Sequence, residues 1–150
     1  TKEVRELVRY SGDPNTEVVQ FAFSPQNSAR SGLHSFSVNS ACYTGTHDNN
    51  TAAGWAEEAS REVLEMAKTY LGFRYSYEVP SALIRGCMGS PSAFAIVPIQ
   101  DWLGLGANCR MNIPGTVQGN WRFRVKRHEL NYMLAERIAS VTKAFGRAPA

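Results

Sequence analysis

The sequence predicts an α/β fold with about three parallel strands plus flanking helices, and three observations carry that prediction. Short apolar runs of strand length alternate along the chain with stretches of helical periodicity. Strands that alternate with helices pair in parallel through right-handed crossovers. Only three convincing strand segments can be read in the 150 residues, and three parallel strands alone leave two unpaired edges, which proteins normally avoid. A closed (β/α) barrel needs eight strands and typically ~250 residues. The organisation therefore implies a piece of something larger.

Taken in order, Val4, Leu7 and Val8 set a short helical stripe that ends at Gly12 and the turn pair Asp13-Pro14. Residues 17–23 are β-rich, stopped by Ser24-Pro25, with apolar side chains on both faces as in a covered parallel sheet. Residues 26–37 are polar and small and read as loop. A second strand, roughly Ser40 to Thr44, delivers the chain into Gly45-Thr-His-Asp-Asn-Asn-Thr51. One strong helix follows: Trp55, Ala59, Val63, Met66/Ala67 and Tyr70 recur at helical spacing, and Gly72 suits its C′ position. Pro80 to Ser92 is a weaker helix, with Pro80 at its start and Gly86 and Gly89 reducing its propensity. Ala93 to Ile99 is a third, buried strand. Residues 100–120 form a loop rich in Gly, Asn and Pro, long enough to suspect function. The last helix carries Leu130, Leu134, Ile138, Val141 and Phe145 on one face and stops at Gly146.

Composition narrows the function. With 43% hydrophobic and 19% charged residues the chain is globular, not disordered. A net charge of +3 is too small a bias to argue for nucleic acid. The longest apolar run, Ala93 to Ile99, is far short of the ~20 residues a membrane span requires. No signal-peptide pattern is present, and a helical pattern beginning directly after Thr1 raises the expectation of polypeptide upstream. Cys42, Cys87 and Cys109 stand singly, without Cys-x-x-Cys spacing, so buried thiols in a reducing, cytoplasmic compartment are expected, and no metal or cofactor.

The densest polar cluster, Thr44 to Thr51, follows the second strand. Parallel barrels build active sites at the C-terminal ends of strands. A carboxylate there can accept paired hydrogen bonds from vicinal sugar hydroxyls. On spacing alone a second reading stands level: Asp48 or Asn49 caps the following helix and His47 fills a turn.

Tyr43-Thr-Gly-Thr-His-Asp-Asn-Asn-Thr51 followed by Gly54-Trp55 closely resembles a signature of the amylomaltase, or disproportionating enzyme, family of 4-α-glucanotransferases. Val19-Gln-Phe-Ala-Phe23, Ser90-Pro-Ser92, residues 95–101, Leu103-Gly-Leu-Gly106, Arg110-Met-Asn-Ile-Pro-Gly-Thr116, Gly119-Asn-Trp121 and Phe145-Gly-Arg147 continue the resemblance in order across nearly the whole chain. It implies the C-terminal portion of a (β/α)8 TIM-type barrel over residues 1–150, acting on α-1,4-glucans or maltooligosaccharides without cofactor. The family's retaining chemistry uses a carboxylate nucleophile, a carboxylic acid that serves as acid and then base, and a third carboxylate that grips the sugar in the −1 subsite. Asp48 matches the third, and His47 its sugar-binding neighbour. The nucleophile and acid/base belong to earlier strands, so the isolated chain is expected to be inactive without the N-terminal part of the enzyme. Asn112 lies in the loop that the resemblance places over the substrate cleft, where its amide suits hydroxyls; an Asx turn into Pro114 is the level alternative. Asn50 stands where the family often has Asp, and residues 33–36 match only loosely, so His34 is read as an exposed loop histidine.

Gln100 and Asp101 read as structural partners of the long loop. Trp55 belongs to the helix stripe, whereas the loop-borne Trp102 and Trp121 are open to packing or sugar stacking. Trp121, Phe123 and Val125 alternate with Arg122, Arg124 and Lys126, as in a half-buried extended segment with a solvated basic face. Two competing functions remain: a non-catalytic glucan-binding or interaction module, and a metal-dependent hydrolase using His47, Asp48, His34 and His128. Open sheet edges also predict self-association.

Overall fold

The computed structural model describes residues 2–24 and 32–148; the loop expected over 26–37 and Pro25 fall partly or wholly outside them. The chain opens with α1 (Lys2–Ser11), which ends at Gly12 with φ 74°, a value glycine adopts without strain. Three strands, β1 (Asn15–Val18), β2 (Ser40–Tyr43) and β3 (Phe94–Ile96), form one sheet in the order β1-β2-β3, parallel throughout. Val18 pairs with Tyr43 and Tyr43 with Ile96, so the three C-terminal ends lie level. That is the parallel α/β arrangement which the alternation of elements predicts.

Helices cover one face. Cys42 and Ala95, side by side in the register, face α4 (Val79–Met88), whose Cys87 Sγ donates to the Cys42 carbonyl at 3.2 Å. Around α4 gather Val19, Phe23, Leu33, Ala67, Phe73, Val79 and Leu83, all buried. Gly86 belongs there for lack of room: a Cβ would stand 2.7 Å from Leu33 Cδ1 and 2.9 Å from Leu71 Cδ2. A second cluster joins Ile84, Met88 and Trp102 to Leu134, Ile138 and Val141 of α6 (Tyr132–Ala144), the middle of the apolar face predicted for the last helix, whereas Phe145 lies just beyond the helix and is exposed. Asn131 caps α6 by accepting from Leu134 N, and leaves Leu130 outside it and exposed.

Several expected boundaries move, each for a local reason. The strand predicted over 17–23 stops at Val18, and Val19–Phe23 is a 3-10 helix. Three residues per turn put Val19 over Ala22 and Gln20 over Phe23, all buried, and turn Phe21 to the surface. A helix satisfies the same apolar run with one face. The single helix expected around Trp55 to Tyr70 is two, α2 (Ala52–Glu58) and α3 (Arg61–Leu71). Ser60 breaks it: its backbone is extended and its hydroxyl accepts from Val63 N, capping α3. Trp102 is not loop-borne but buried in α5 (Ile99–Trp102), within the stretch expected to be loop. Residues 121–125 form no strand, although Phe123 and Val125 are less exposed than Arg122, Arg124 and Lys126.

The third strand differs most. It is three residues long, not seven, and it is not buried: Phe94 is 56% and Ile96 43% exposed. Side chains alternate across a strand, so Ala95 meets the helices while Phe94 and Ile96 lie on the sheet's other face, which no element among the described residues covers. β1 and β3 are the sheet's edges.

Leu83 is fully buried where the 3-10 turn, β2 and α4 meet. Leu83→Ala should cost about 2–5 kcal/mol, read as a shift in urea denaturation; a loss under about 1 kcal/mol would show that α4 does not carry the core.

Candidate functional site

The site begins where β2 ends. Thr44 is buried, and its hydroxyl donates to Asp101 Oδ2. Asp101 Oδ1 accepts from Ala52 N at 2.7 Å, at the start of α2. At 1% exposure, burial pushes the Asp101 carboxyl above its ordinary value, and the Ala52 and Thr44 hydrogen bonds oppose that rise. Asp101 thus ties the end of a strand to the beginning of the next helix; its role is structural, but its partners lie in this link and not in the long loop, to which Gln100 donates instead at Cys109 O. On the other side Gln20 Nε2 donates to Asn50 O at 2.9 Å. Gly45 lies between: a Cβ there would stand 2.7 Å from Gln20 Nε2.

Inside this frame the turn of residues 46–51 satisfies itself in part. Asn49 Oδ1 accepts from Thr46 N at 2.9 Å and from Thr46 Oγ1 at 2.8 Å. Thr51 caps α2, its hydroxyl accepting from Gly54 N. The helix-cap reading of Asp48 or Asn49 is therefore overturned, because Thr51 already does that work.

Asp48 looks elsewhere. Its Oδ1 accepts from Asn112 Nδ2 at 2.6 Å, and His47 Nε2 approaches its Oδ2 at 3.4 Å. The two side chains are 55% and 50% exposed for His47 and Asp48 respectively, so the carboxylate faces solvent, not the interior. Asn112 makes this long-range contact with its side chain, and its N–H donates to His47 O at 3.1 Å. The structure thus brings together Asp48, His47 and Asn112, the three residues nominated from the sequence.

Two further residues join them. Arg110 donates from Nη2 to Asp48 O at 2.7 Å and from Nε to Asn112 O at 2.8 Å. Trp121 lies beside His47, ring centroids 5.1 Å apart, and the residue is 52% exposed. Its N–H closes the loop onto Met111 O at 2.7 Å, and its φ of 62° is a left-handed value that a bulky residue rarely adopts. Sequence reasoning passed over Arg110, since no spacing rule foretells which carbonyls a guanidinium will bridge, and left Trp121 open. A cavity of about 210 Å³ adjoins the turn, lined by His47, Asn50, Gln100, Asp101 and Arg110 among others. Asn50 is buried there, and its Nδ2 has no hydrogen-bond partner among the described residues.

Other candidates fall away from this place. His34 is exposed and pairs with Tyr70, whose hydroxyl stands 2.9 Å from its Nδ1. His128 lies in a short 3-10 turn before α6. Among the described residues no three His, Cys, Asp or Glu side chains gather as a metal site, so the four-residue hydrolase set is not assembled. Glu57 and Glu58 are on the exposed side of α2, and Asp101 is engaged by Thr44 and Ala52. Cys42 and Cys87 are buried free thiols, and Cys109 is partly exposed.

A parallel α/β sheet whose strand mouth presents a solvent-facing carboxylate, an amide and aromatic rings is the arrangement in which α/β proteins place their sites, at the C-terminal ends of strands. The chain belongs to the 4-alpha-glucanotransferase family: the model of that family matches residues 1–131. It is 38% identical over 148 residues to a 4-alpha-glucanotransferase from Synechocystis sp., covering 98% of this chain and 29% of that protein. It is likewise 38% identical over 125 residues to the chloroplastic/amyloplastic 4-alpha-glucanotransferase of Solanum tuberosum, covering 83% and 22%. Among solved structures it is similar to amylomaltase from Streptococcus agalactiae in complex with acarbose, with a TM-score of 0.92 at 26% identity over 99% of this chain and 30% of that one. The chain thus spans about 30% of the length of such relatives, and its three-stranded α/β sheet is a portion of a (β/α)8 barrel.

Raised above its ordinary value near 3.8, the Asp101 carboxyl binds protons more tightly folded than unfolded. Its linkage contribution to stability is therefore greatest below that value and declines as pH rises through the window above it. Asp101→Asn removes the titration and keeps the shape, since its NH2 can donate to the Thr44 hydroxyl, which accepts as well as donates. Relative to wild type, the variant should gain stability as pH rises from about 4 to about 7. Denaturation across that range checks this; an unchanged slope would contradict it.

Proposed function

We propose that residues 1–150 are the C-terminal part of the catalytic barrel of a retaining 4-α-glucanotransferase. The complete enzyme transfers α-1,4-glucan segments between maltooligosaccharides or to glucose. The observation that carries this reading is the half-exposed Asp48 carboxylate, held by Asn112 at 2.6 Å with His47 alongside, at the mouth of β2. Asp48 accepts hydrogen bonds from vicinal hydroxyls of the sugar in the −1 subsite, and these bonds strengthen as the ring gains oxocarbenium character. His47 and Asn112 supply further polar contacts to the same ring. The acarbose bound by the similar Streptococcus agalactiae protein is support for a saccharide ligand.

Retention needs two carboxyl groups ~5–5.5 Å apart flanking the scissile bond. Asp48 is neither, Asp101 is engaged, and Glu57 and Glu58 lie on a wet helix face. The nucleophile and the acid/base reside on the N-terminal part of the enzyme, which is this chain's first partner. The setting is the cytoplasm, and without that partner the open edges of β1 and β3 favour self-association.

This chain incubated with maltotriose should yield neither glucose nor longer glucans, whereas the polypeptide extended upstream should yield both. Turnover by the 150 residues alone would overturn the division of labour. Failure of the extended polypeptide to turn over, with maltooligosaccharide binding retained, would leave the non-catalytic glucan-binding module in its place. In the active, extended protein, Asp48→Ala should lower kcat by about 100- to 1,000-fold with little change in KM, since the lost interaction is worth several kcal/mol only in the transition state. A rise in KM with kcat intact would assign Asp48 to ground-state binding.

A further inference from the structure

We infer that Arg110 is a positioning residue for this reaction, acting on the sugar-gripping carboxylate through the backbone; the role rests on the glucanotransferase reading above. Its guanidinium reaches two carbonyls on two separate pieces of chain, Asp48 O at 2.7 Å and Asn112 O at 2.8 Å. One belongs to the residue that carries the carboxylate, the other to the residue whose amide holds that carboxylate. The planar fork of the guanidinium fixes the spacing of its donors, and so the spacing of what they bind.

The rest of the loop has few ties to the turn. Ile113 N donates to Asn120 Oδ1, Asn120 Nδ2 to Thr116 O, and Trp121 N to Met111 O; each of these stays within residues 111–121. Three hydrogen bonds join the loop to the turn: Asn112 N to His47 O, Asn112 Nδ2 to Asp48 Oδ1, and Arg110 Nη2 to Asp48 O. Arg110 also holds Asn112, the source of the other two. Both of its acceptors are neutral carbonyls, so it contributes geometry here without neutralising Asp48. Loss of this clamp lets Asn112 and the Asp48 carboxylate drift apart, and a misplacement of about 1 Å at a reacting centre can cost ~100-fold in rate.

The test uses the complete polypeptide that contains this sequence, with maltotriose as substrate, and compares Arg110→Lys, Arg110→Met, Asp48→Ala and the double variant Asp48→Ala/Arg110→Met. A lysine ammonium is a point charge that does not reproduce the fork, so Arg110→Lys should fail almost as badly as Arg110→Met. Both should lose about 10- to 100-fold in kcat, with KM little changed and thermal unfolding near that of wild type for Arg110→Lys. The double variant should lose less than the product of the two single losses, because Arg110 acts in part through Asp48. Additive losses, full activity in Arg110→Lys, or a rise in KM at constant kcat would each overturn the role while leaving the glucanotransferase reading in place. An inactive wild-type polypeptide would overturn both.

Discussion

The buried carboxylate of Asp101 is the constraint on which the site hangs. A carboxylate at 1% exposure is costly unless hydrogen-bonded, and the partners it takes are Thr44 at the end of β2 and Ala52 N at the start of α2. Those two bonds fix both ends of the link between strand and helix, residues 44–51. Gln20 holds Asn50 O from the other side, and the side chains of Thr44, Asn50 and Thr51 are packed inward. Thr46 and Asn49 bond to each other, Thr51 caps the helix, and Asp48 is left facing outward. The exposed carboxylate is thus a consequence of a buried one.

What stands against that carboxylate arrives from a different part of the chain. Residues 110–121 leave α5 and return across the strand mouth, so Arg110, Asn112 and Trp121 converge on His47 and Asp48 from more than sixty residues away. The arrangement separates support from recognition: Asp101 and Gln20 beneath, amide, imidazole and indole above. An unpartnered Asn50 Nδ2 beside the small cavity is the one buried polar atom of the turn that the described residues leave unsatisfied. The sheet face with Phe94 and Ile96 is left uncovered among the described residues of a chain that spans 29% of the length of its Synechocystis relative.

Much of this was legible in the sequence. Parallel pairing followed from the alternation of elements, and the site from one cluster at a strand end together with a family signature. Positions where one physical cue competed with another were harder. The run Val19 to Phe23 is equally apolar as strand or 3-10 helix, and only the level ending of the three strands decides. Ser60 carried a cap signal that the longer helical stripe concealed. Residues 93–99 read as buried because burial was inferred from apolarity, whereas an edge strand with one face uncovered keeps Phe94 and Ile96 exposed. Arg110 was read only as part of the signature over 110–116, and its role was not, as a guanidinium that binds backbone carbonyls leaves no pattern in the residues it binds.

The account stands on Asp48 meeting a sugar ring at the mouth of β2. A crystal structure of the complete polypeptide with a bound maltooligosaccharide measures this directly. The account predicts both oxygens of the Asp48 carboxylate within hydrogen-bond distance, about 2.5–3.2 Å, of protein or sugar donors, with adjacent hydroxyls of one glucose among them and Asn112 on the same ring. A saccharide seated elsewhere, with Asp48 bonded to protein alone, would contradict it.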